Sequence, residues 1–209
     1  MRKTKEEAGV TREKLLDAAL KVFSKKGYAM TTLDDIAKEA GVTRGALYWH
    51  FKGGKAEIFT EILNKGFGRV SDLLERLMSE GGTPLEIMER MMTRLLQFVE
   101  EDDDYRAVQE ILIFKMTDDP DLALRLEDKR HAQEESVNYI AGLIEQAKAA
   151  GEVRPDTDAM TAAVAAYGML NGIVFLWMVE RAATEKPQFS LKKDAPSFVK
   201  LYMRSITAR

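Results

Sequence analysis

Thr31-Thr32-Leu33-Asp34-Asp35-Ile36-Ala37-Lys38-Glu39-Ala40-Gly41-Val42-Thr43-Arg44-Gly45-Ala46-Leu47-Tyr48-Trp49-His50-Phe51 carries two helix starts separated by one helix stop. Thr32 is placed to cap a first short helix, with Asp35 three residues on as its capping-box partner. Leu33, Ile36, Ala37 and Ala40 then recur at helical spacing and predict one apolar face. Gly41 supplies the left-handed residue that ends this helix. Thr43 caps the next, which runs from Arg44 to about His50. Two helices joined by a turn of three to four residues containing glycine predict a helix-turn-helix, whose second helix enters the major groove of DNA.

The composition of that second helix agrees. Thr43, Arg44 and Gly45 place a hydroxyl, a guanidinium and a small residue at its start. Small residues let the backbone approach a groove wall, and arginine reaches guanine edges or phosphate. Tyr48, Trp49 and His50 follow as three rings with polar tips. Three neighbouring positions cannot all face one core, so at least one ring is predicted to be exposed. Leu47 and Phe51 are assigned to the core. Tyr48 is assigned to phosphate, a contact that positions a protein on the duplex without reading sequence. Trp49 suits either a phosphate contact or a cover over the edge of a small domain.

The segment Thr11 to Phe59 resembles the DNA-binding domain of the TetR family of bacterial transcriptional repressors. The likeness rests on the first helix from Arg12 to Phe23, the Lys26-Gly27-Tyr28 exit and Thr31-Thr32. Ile36-Ala37-Lys38-Glu39-Ala40-Gly41-Val42 and Gly45-Ala46-Leu47-Tyr48-Trp49-His50-Phe51 complete it. An ordered pattern over about fifty residues is far more specific than a lone short motif. The resemblance implies that Thr32, Thr43, Arg44, Tyr48, His50 and Lys55 touch DNA. One departure stands out: Gly53-Gly54 intervene between Lys52 and Lys55, where the family has a single residue. Lys52 is therefore a candidate to share the phosphate contact.

Working outward, the chain has 209 residues, enough for one large or two small domains. Hydrophobic residues make up 45% and charged ones 31%, as in an ordinary globular protein. The net charge of −3 alone argues against a nucleic-acid binder, but its distribution does not. Residues 1–55 hold 12 Lys and Arg against 7 Asp and Glu, a net +5. Residues 56–209 hold 19 against 27, a net −8. A basic module on an acidic body follows, with boundaries at 1–55 and 56–209. Arg2, Lys3 and Lys5 form a short basic arm, read as a frayed terminus. There is no cysteine, hence no disulfide and no thiolate metal site. His50 and His131 are too far apart for metal-ligand spacing, so neither metal nor cofactor is expected. Met1 to Glu13 is charged and lacks an apolar segment, which predicts no signal peptide and a cytoplasmic protein.

The rest of the chain predicts helices only. They are placed at about Lys55–Ser79, Pro84–Glu101, Asp104–Met116, Pro120–Ala150, Ala159–Thr184 and Lys192–Thr207. The whole is an all-α fold of about nine helices: a three-helix DNA-binding domain and a helical ligand-binding and dimerisation domain. Glu100-Glu101-Asp102-Asp103-Asp104 is read as a solvated loop opening a helix. Ala159 to Val179 holds no charge over 21 positions. It is long enough to cross a membrane. It is better read as a helix packed on its own subunit by one face and on a second copy by another.

A homodimer is expected, because a two-fold pair of recognition helices reads two half-sites of a palindromic DNA operator. The uncharged helix and the last helix supply the interface, with Leu176, Phe198 and Tyr202 as candidates. Gln109 and Asn171 sit within apolar helix faces, and a buried amide needs partners. Met88, Met91, Met92, Met116, Met169 and Met178 add adaptable apolar surface, although any one methionine is more often core filler. The segments Gln109–Lys115 and Ala166–Gly172 are also similar to the effector-domain helices of TetR-type repressors of multidrug efflux pumps. That likeness implies ligand contacts at Gln109, Ile113, Ile140, Tyr167, Leu170 and Asn171, and a small hydrophobic or aromatic effector. The alternative is an all-helical enzyme or lipid- or small-molecule-binding protein with a vestigial DNA-binding module. An enzyme needs a convergent acid, base or nucleophile set. Glu110, Lys115 and His131 show no such spacing, so no catalytic residue is assigned.

Overall fold

Helix boundaries follow the capping residues written into the chain. The computed structural model describes residues 5–114, 122–184 and 186–208, with the side chains of 5–10 and 122–129 left out. Among these residues the order is α1 (Lys5–Lys26), α2 (Leu33–Glu39), α3 (Arg44–His50), α4 (Gly54–Ser79), α5 (Pro84–Glu101), α6 (Asp103–Phe114), α7 (Leu122–Ala149), α8 (Ala159–Ala183) and α9 (Leu191–Ile206). The only β feature described is an isolated antiparallel bridge between Val153 and Thr207. Thr32 and Thr83 close full capping boxes with Asp35 and Glu86. Thr43, Asp158 and Ser190 cap α3, α8 and α9 through their side chains. Each accepts an orphan N–H of a first turn.

Several expectations shift. α1 begins at Lys5 rather than Arg12, so Lys5 belongs to a helix and not to an arm; Arg2 and Lys3 lie outside the described residues. α4 begins at Gly54, whose φ of +65° accounts for the second of the two glycines, since that turn suits a residue without Cβ. Lys115, Met116 and the Asp118–Asp121 break lie outside the described residues.

The chain packs as two units: Met1–Arg69 with Asp104–Leu122, and Val70–Asp103 with Ala123–Arg209. The first is built on Leu15, Leu16, Ala19 and Phe23 of α1, Ile36 and Ala37 of α2, Leu47 and Phe51 around α3, and Ile58, Phe59 and Ile62 of α4. Phe23, Tyr28 and Phe59 form a ring cluster with centroids 4.8–5.5 Å apart. Such contacts add directional preference to burial. Val108 and Ile111 of α6 join this same core. Gly66 on α4 faces Val108, where a Cβ would make ordinary contact at 3.5 Å.

In the second unit α5 packs most extensively on α9. Met88, Met91 and Met92 are buried in its core with Leu96, Val199 and Met203, so these methionines are filler. The acidic run is not simply solvated. The Glu100 carboxylate accepts from the Ser190 hydroxyl at 2.9 Å and the Lys192 N–H at 2.7 Å, a second cap on α9. Glu101 pairs with Arg94 at 3.2 Å. In the first unit Asp104 pairs with Arg69 at 3.4 Å.

α8 is long and apolar enough to cross a membrane by composition. Its two faces differ. Ala162, Ala163, Ala166, Leu170, Trp177 and Met178 are buried, whereas Met160, Val164, Phe175, Leu176 and Val179 are exposed. The exposed residues recur at helical spacing and form an apolar stripe along α8.

Candidate nucleic-acid interface

The recognition surface starts from how α2 holds α3. Asp35 donates its backbone N–H to Thr32 Oγ1 at 3.1 Å, and the Thr32 N–H returns a bond to Asp35 Oδ2 at 3.0 Å. Lys26 Nζ reaches Asp35 Oδ1 at 2.6 Å and ties α1 to the start of α2. Lys26 and then the Thr32 donors hold the Asp35 carboxyl at a pKa of about 2. Gly41, with φ of +66°, makes the turn. Thr43 Oγ1 then accepts the Ala46 N–H at 3.2 Å and opens α3. One face of α3 is anchored by Leu47, followed by Phe51, both fully buried. The other face is open to solvent.

On that open face Thr43, Arg44, Gly45, Tyr48 and Trp49 are exposed and His50 is half-buried. Trp49 is 69% exposed and Tyr48 40%. Trp49 therefore does not cover a domain edge. Its ring stands edge-on to His50 at 4.6 Å. A Cβ on Gly45 would meet only Thr43 Oγ1, at 4.0 Å. The chain itself does not require glycine there, whereas a close-fitting partner would. Arg44 Nη1 donates to Asp34 at 3.2 Å and Nη2 to the Tyr48 hydroxyl at 3.5 Å, with the guanidinium 5.6 Å from the Tyr48 ring centroid. The Tyr48 bond, and then the Asp34 charge, raise the Arg44 pKa further.

Lys52 is exposed beyond α3. Lys55 is oriented otherwise. Its ammonium donates to the carbonyls of Tyr28 at 2.9 Å and Ala29 at 3.3 Å and lies 4.4 Å from the Tyr28 ring centroid. In this conformation it ties the start of α4 to the α1–α2 connection. Thr32 is exposed, with its hydroxyl also donating to Asp35 at 2.8 Å.

The residues expected to hold an effector fall in both units: Gln109 and Ile113 on α6, Ile140 on α7, and Tyr167, Leu170 and Asn171 on α8. Gln109, Ile113, Ile140 and Tyr167 are half-buried, and Leu170 is buried. Asn171 corrects the expectation of a buried amide. It is exposed, and its side-chain N–H donates to the Tyr167 carbonyl at 2.8 Å, a bond internal to α8. Of the expected dimer residues, Leu176 is 57% exposed, and Phe198 is half-buried against Phe189 at 5.5 Å. Tyr202 is a second correction. It is buried, its hydroxyl donates to the Ala162 carbonyl at 2.7 Å, and burial pushes its pKa up to about 12. That ring fastens α9 to α8 of its own subunit, while its neighbour Leu201 is 72% exposed.

Sequence reasoning passed over Asp34. Its link to Arg44 spans ten positions and depends on how α2 crosses α3, so only the opposite charges on flanking helices hinted at it.

With this geometry in hand, comparison places the chain among known proteins. Residues 15–62 match the family model described as bacterial regulatory proteins, tetR family. Residues 83–207 match that of the MAATS-type transcriptional repressor, C-terminal region. The chain is 33% identical over 204 residues to the HTH-type transcriptional regulator AcrR of Shigella flexneri, covering 97% of this chain and 92% of that protein. The crystal structure of NalD, the secondary repressor of the MexAB-OprM multidrug efflux pump in Pseudomonas aeruginosa, superposes with a TM-score of 0.81. It is 27% identical and covers 97% of this chain and 98% of its own. The SmeT–triclosan complex has a TM-score of 0.76 and 26% identity, covering 95% of this chain and 92% of its own.

Proposed function

The chain belongs to the TetR family of bacterial transcriptional regulators, and from that premise we propose how it works and what it controls. It acts as a homodimer on a palindromic operator, with residues 1–55 as the DNA-binding domain and 56–209 as the effector-binding and dimerisation domain. A small hydrophobic or aromatic effector releases it, and the regulated gene encodes a multidrug efflux pump. The chain is a cytoplasmic binder and not an enzyme. The efflux reading is supported by the similarity to AcrR, NalD and SmeT.

The observation that carries the DNA reading is the exposed face of α3, where a guanidinium, a phenol, an indole and an unneeded glycine converge on a helix held rigidly from behind. Arg44 is the base-reading residue. Tyr48, Trp49, His50, Thr32, Thr43 and Lys52 contact the backbone, and Gly45 admits it. The effector contacts on α6 are Gln109 and Ile113. Release follows from α6, which carries Gln109 and Ile113 and also puts Val108 and Ile111 into the core beneath the recognition helix. A ligand that favours another seat for α6 disfavours the separation of about 34–36 Å between recognition helices that B-DNA demands.

The test is a footprint on the DNA upstream of the chain's own gene, followed by titration of triclosan with and without saturating footprinted duplex. The proposal expects a protected palindrome, and triclosan affinity reduced by DNA by the same factor as DNA affinity is reduced by triclosan. Triclosan binding indifferent to DNA overturns the release mechanism. No protected site, there or in a selected pool of random duplexes, overturns the DNA reading.

A further inference from the structure

We propose that Asp34 is a specificity-determining residue, which restrains the Arg44 guanidinium so that it discriminates operator from non-operator DNA; the inference rests on the DNA-binding reading above. Asp34 sits on the exposed side of α2, and Arg44 is the first residue of α3. Their side chains are 64% and 59% exposed and meet at 3.2 Å. The Tyr48 hydroxyl lies 3.5 Å from Nη2, a longer and weaker contact. Both contacts lie on the face that α3 turns to its partner.

Three consequences follow. A carboxylate beside the guanidinium cancels the charge of its tip. Sequence-independent affinity comes from neutralising phosphates with cations, so an arginine paired in this way contributes little to it. The guanidinium has five N–H donors, and the two contacts leave others free for the O6 and N7 acceptors of guanine, so base reading survives where phosphate binding does not. Finally, the Asp34 contact biases the fork toward one rotamer, which favours the one geometry a bidentate contact needs. The exposed pair is weak. It need not be strong, since specificity is a difference between two affinities.

The experiment compares Asp34→Asn with the parent chain on two duplexes of equal length. One is the tightest duplex that the parent selects from a random pool; the other is its shuffled sequence. We expect Asp34→Asn to bind the shuffled duplex roughly three- to tenfold more tightly at physiological salt, with a steeper salt dependence. Affinity for the selected duplex should change by less than about twofold, so the specificity ratio falls. In an Arg44→Ala background the same change should have little effect on the shuffled duplex, which shows that Asp34 acts through Arg44. Circular dichroism melts confirm that the variants fold, and Asp35 keeps the Thr32 capping box in each. An equal rise on both duplexes overturns the inference, because the effect is then mere charge. So does a loss confined to the selected duplex, which makes Asp34 a base contact. So does no change on either. A parent chain that selects no duplex overturns the DNA reading as well, and the two failures are distinct.

Discussion

The Lys55 ammonium lies 4.4 Å from the centroid of the Tyr28 ring and donates to the Tyr28 carbonyl oxygen at 2.9 Å. Both groups belong to the joint where α1, the α1–α2 connection and α4 meet. A cation that satisfies backbone carbonyls and rests on a ring is a structural tie, and the neighbouring Lys52 is the cation turned outward. Lys55→Met keeps the apolar stem and removes the charge. It should cost about 1–2 kcal/mol of stability, read from the denaturation midpoint. The slope of log affinity against log salt on operator DNA should stay unchanged in Lys55→Met and fall by about one per subunit in Lys52→Ala. A reduced slope in Lys55→Met would return the phosphate contact to Lys55.

Asp35 makes the stability of the DNA-binding unit sensitive to acid. Lys26 first, and then the Thr32 donors, lower its pKa from 3.8 to about 2. A carboxyl depressed in the folded state stabilises fully above its unfolded value. That contribution fades as pH falls through the folded value. The window is therefore from about pH 4 down to about pH 2. Asp35→Asn should melt lower than the parent chain at neutral pH, and the gap should close across that window. A gap independent of pH would show that the carboxylate charge is not what stabilises.

Arg44 and Tyr48 separate two kinds of DNA contact. Arg44→Ala should cost about 1–3 kcal/mol on the operator and relax sequence preference, as loss of a guanine contact does. Tyr48→Phe keeps the ring under the guanidinium and removes only the hydroxyl. It should weaken binding to a similar degree on operator and shuffled duplexes. Equal operator affinity of Arg44→Ala and the parent chain at matched salt would remove Arg44 from the interface.

Leu176 and Trp177 are adjacent on α8 and differ sharply in burial. Leu176 is 57% exposed, and Trp177 is 1% exposed with Arg181 5.5 Å from its ring. Trp177→Ala should destabilise the subunit by about 3–5 kcal/mol through the cavity it leaves. Leu176→Glu and Leu201→Glu should leave the subunit folded and halve the sedimenting mass, because each puts a charge on exposed apolar surface that the proposed homodimer would bury. If both variants sediment like the parent chain, the copies meet elsewhere.

Local chemistry determined most of what the sequence could disclose. Thr32 with Asp35, Gly41 and Thr43 specify two helices and their turn through hydrogen bonds and one left-handed residue, all within a few positions. Leu47 and Phe51 declared themselves as core by their spacing, and the helical pattern of the body was legible for the same reason. Relations between distant positions were decided by tertiary structure alone. Asn171 looked buried because its neighbours are apolar, yet α8 is apolar on both faces and turns Asn171 outward. Tyr202 looked like an interface ring and is a tie to Ala162, because the rotation of α9 about its own axis cannot be read from period alone. Lys55 bonds Tyr28 across 27 positions, and Asp34 meets Arg44 across a helix crossing. Spacing along a chain specifies which residues share a face; only packing specifies what that face meets.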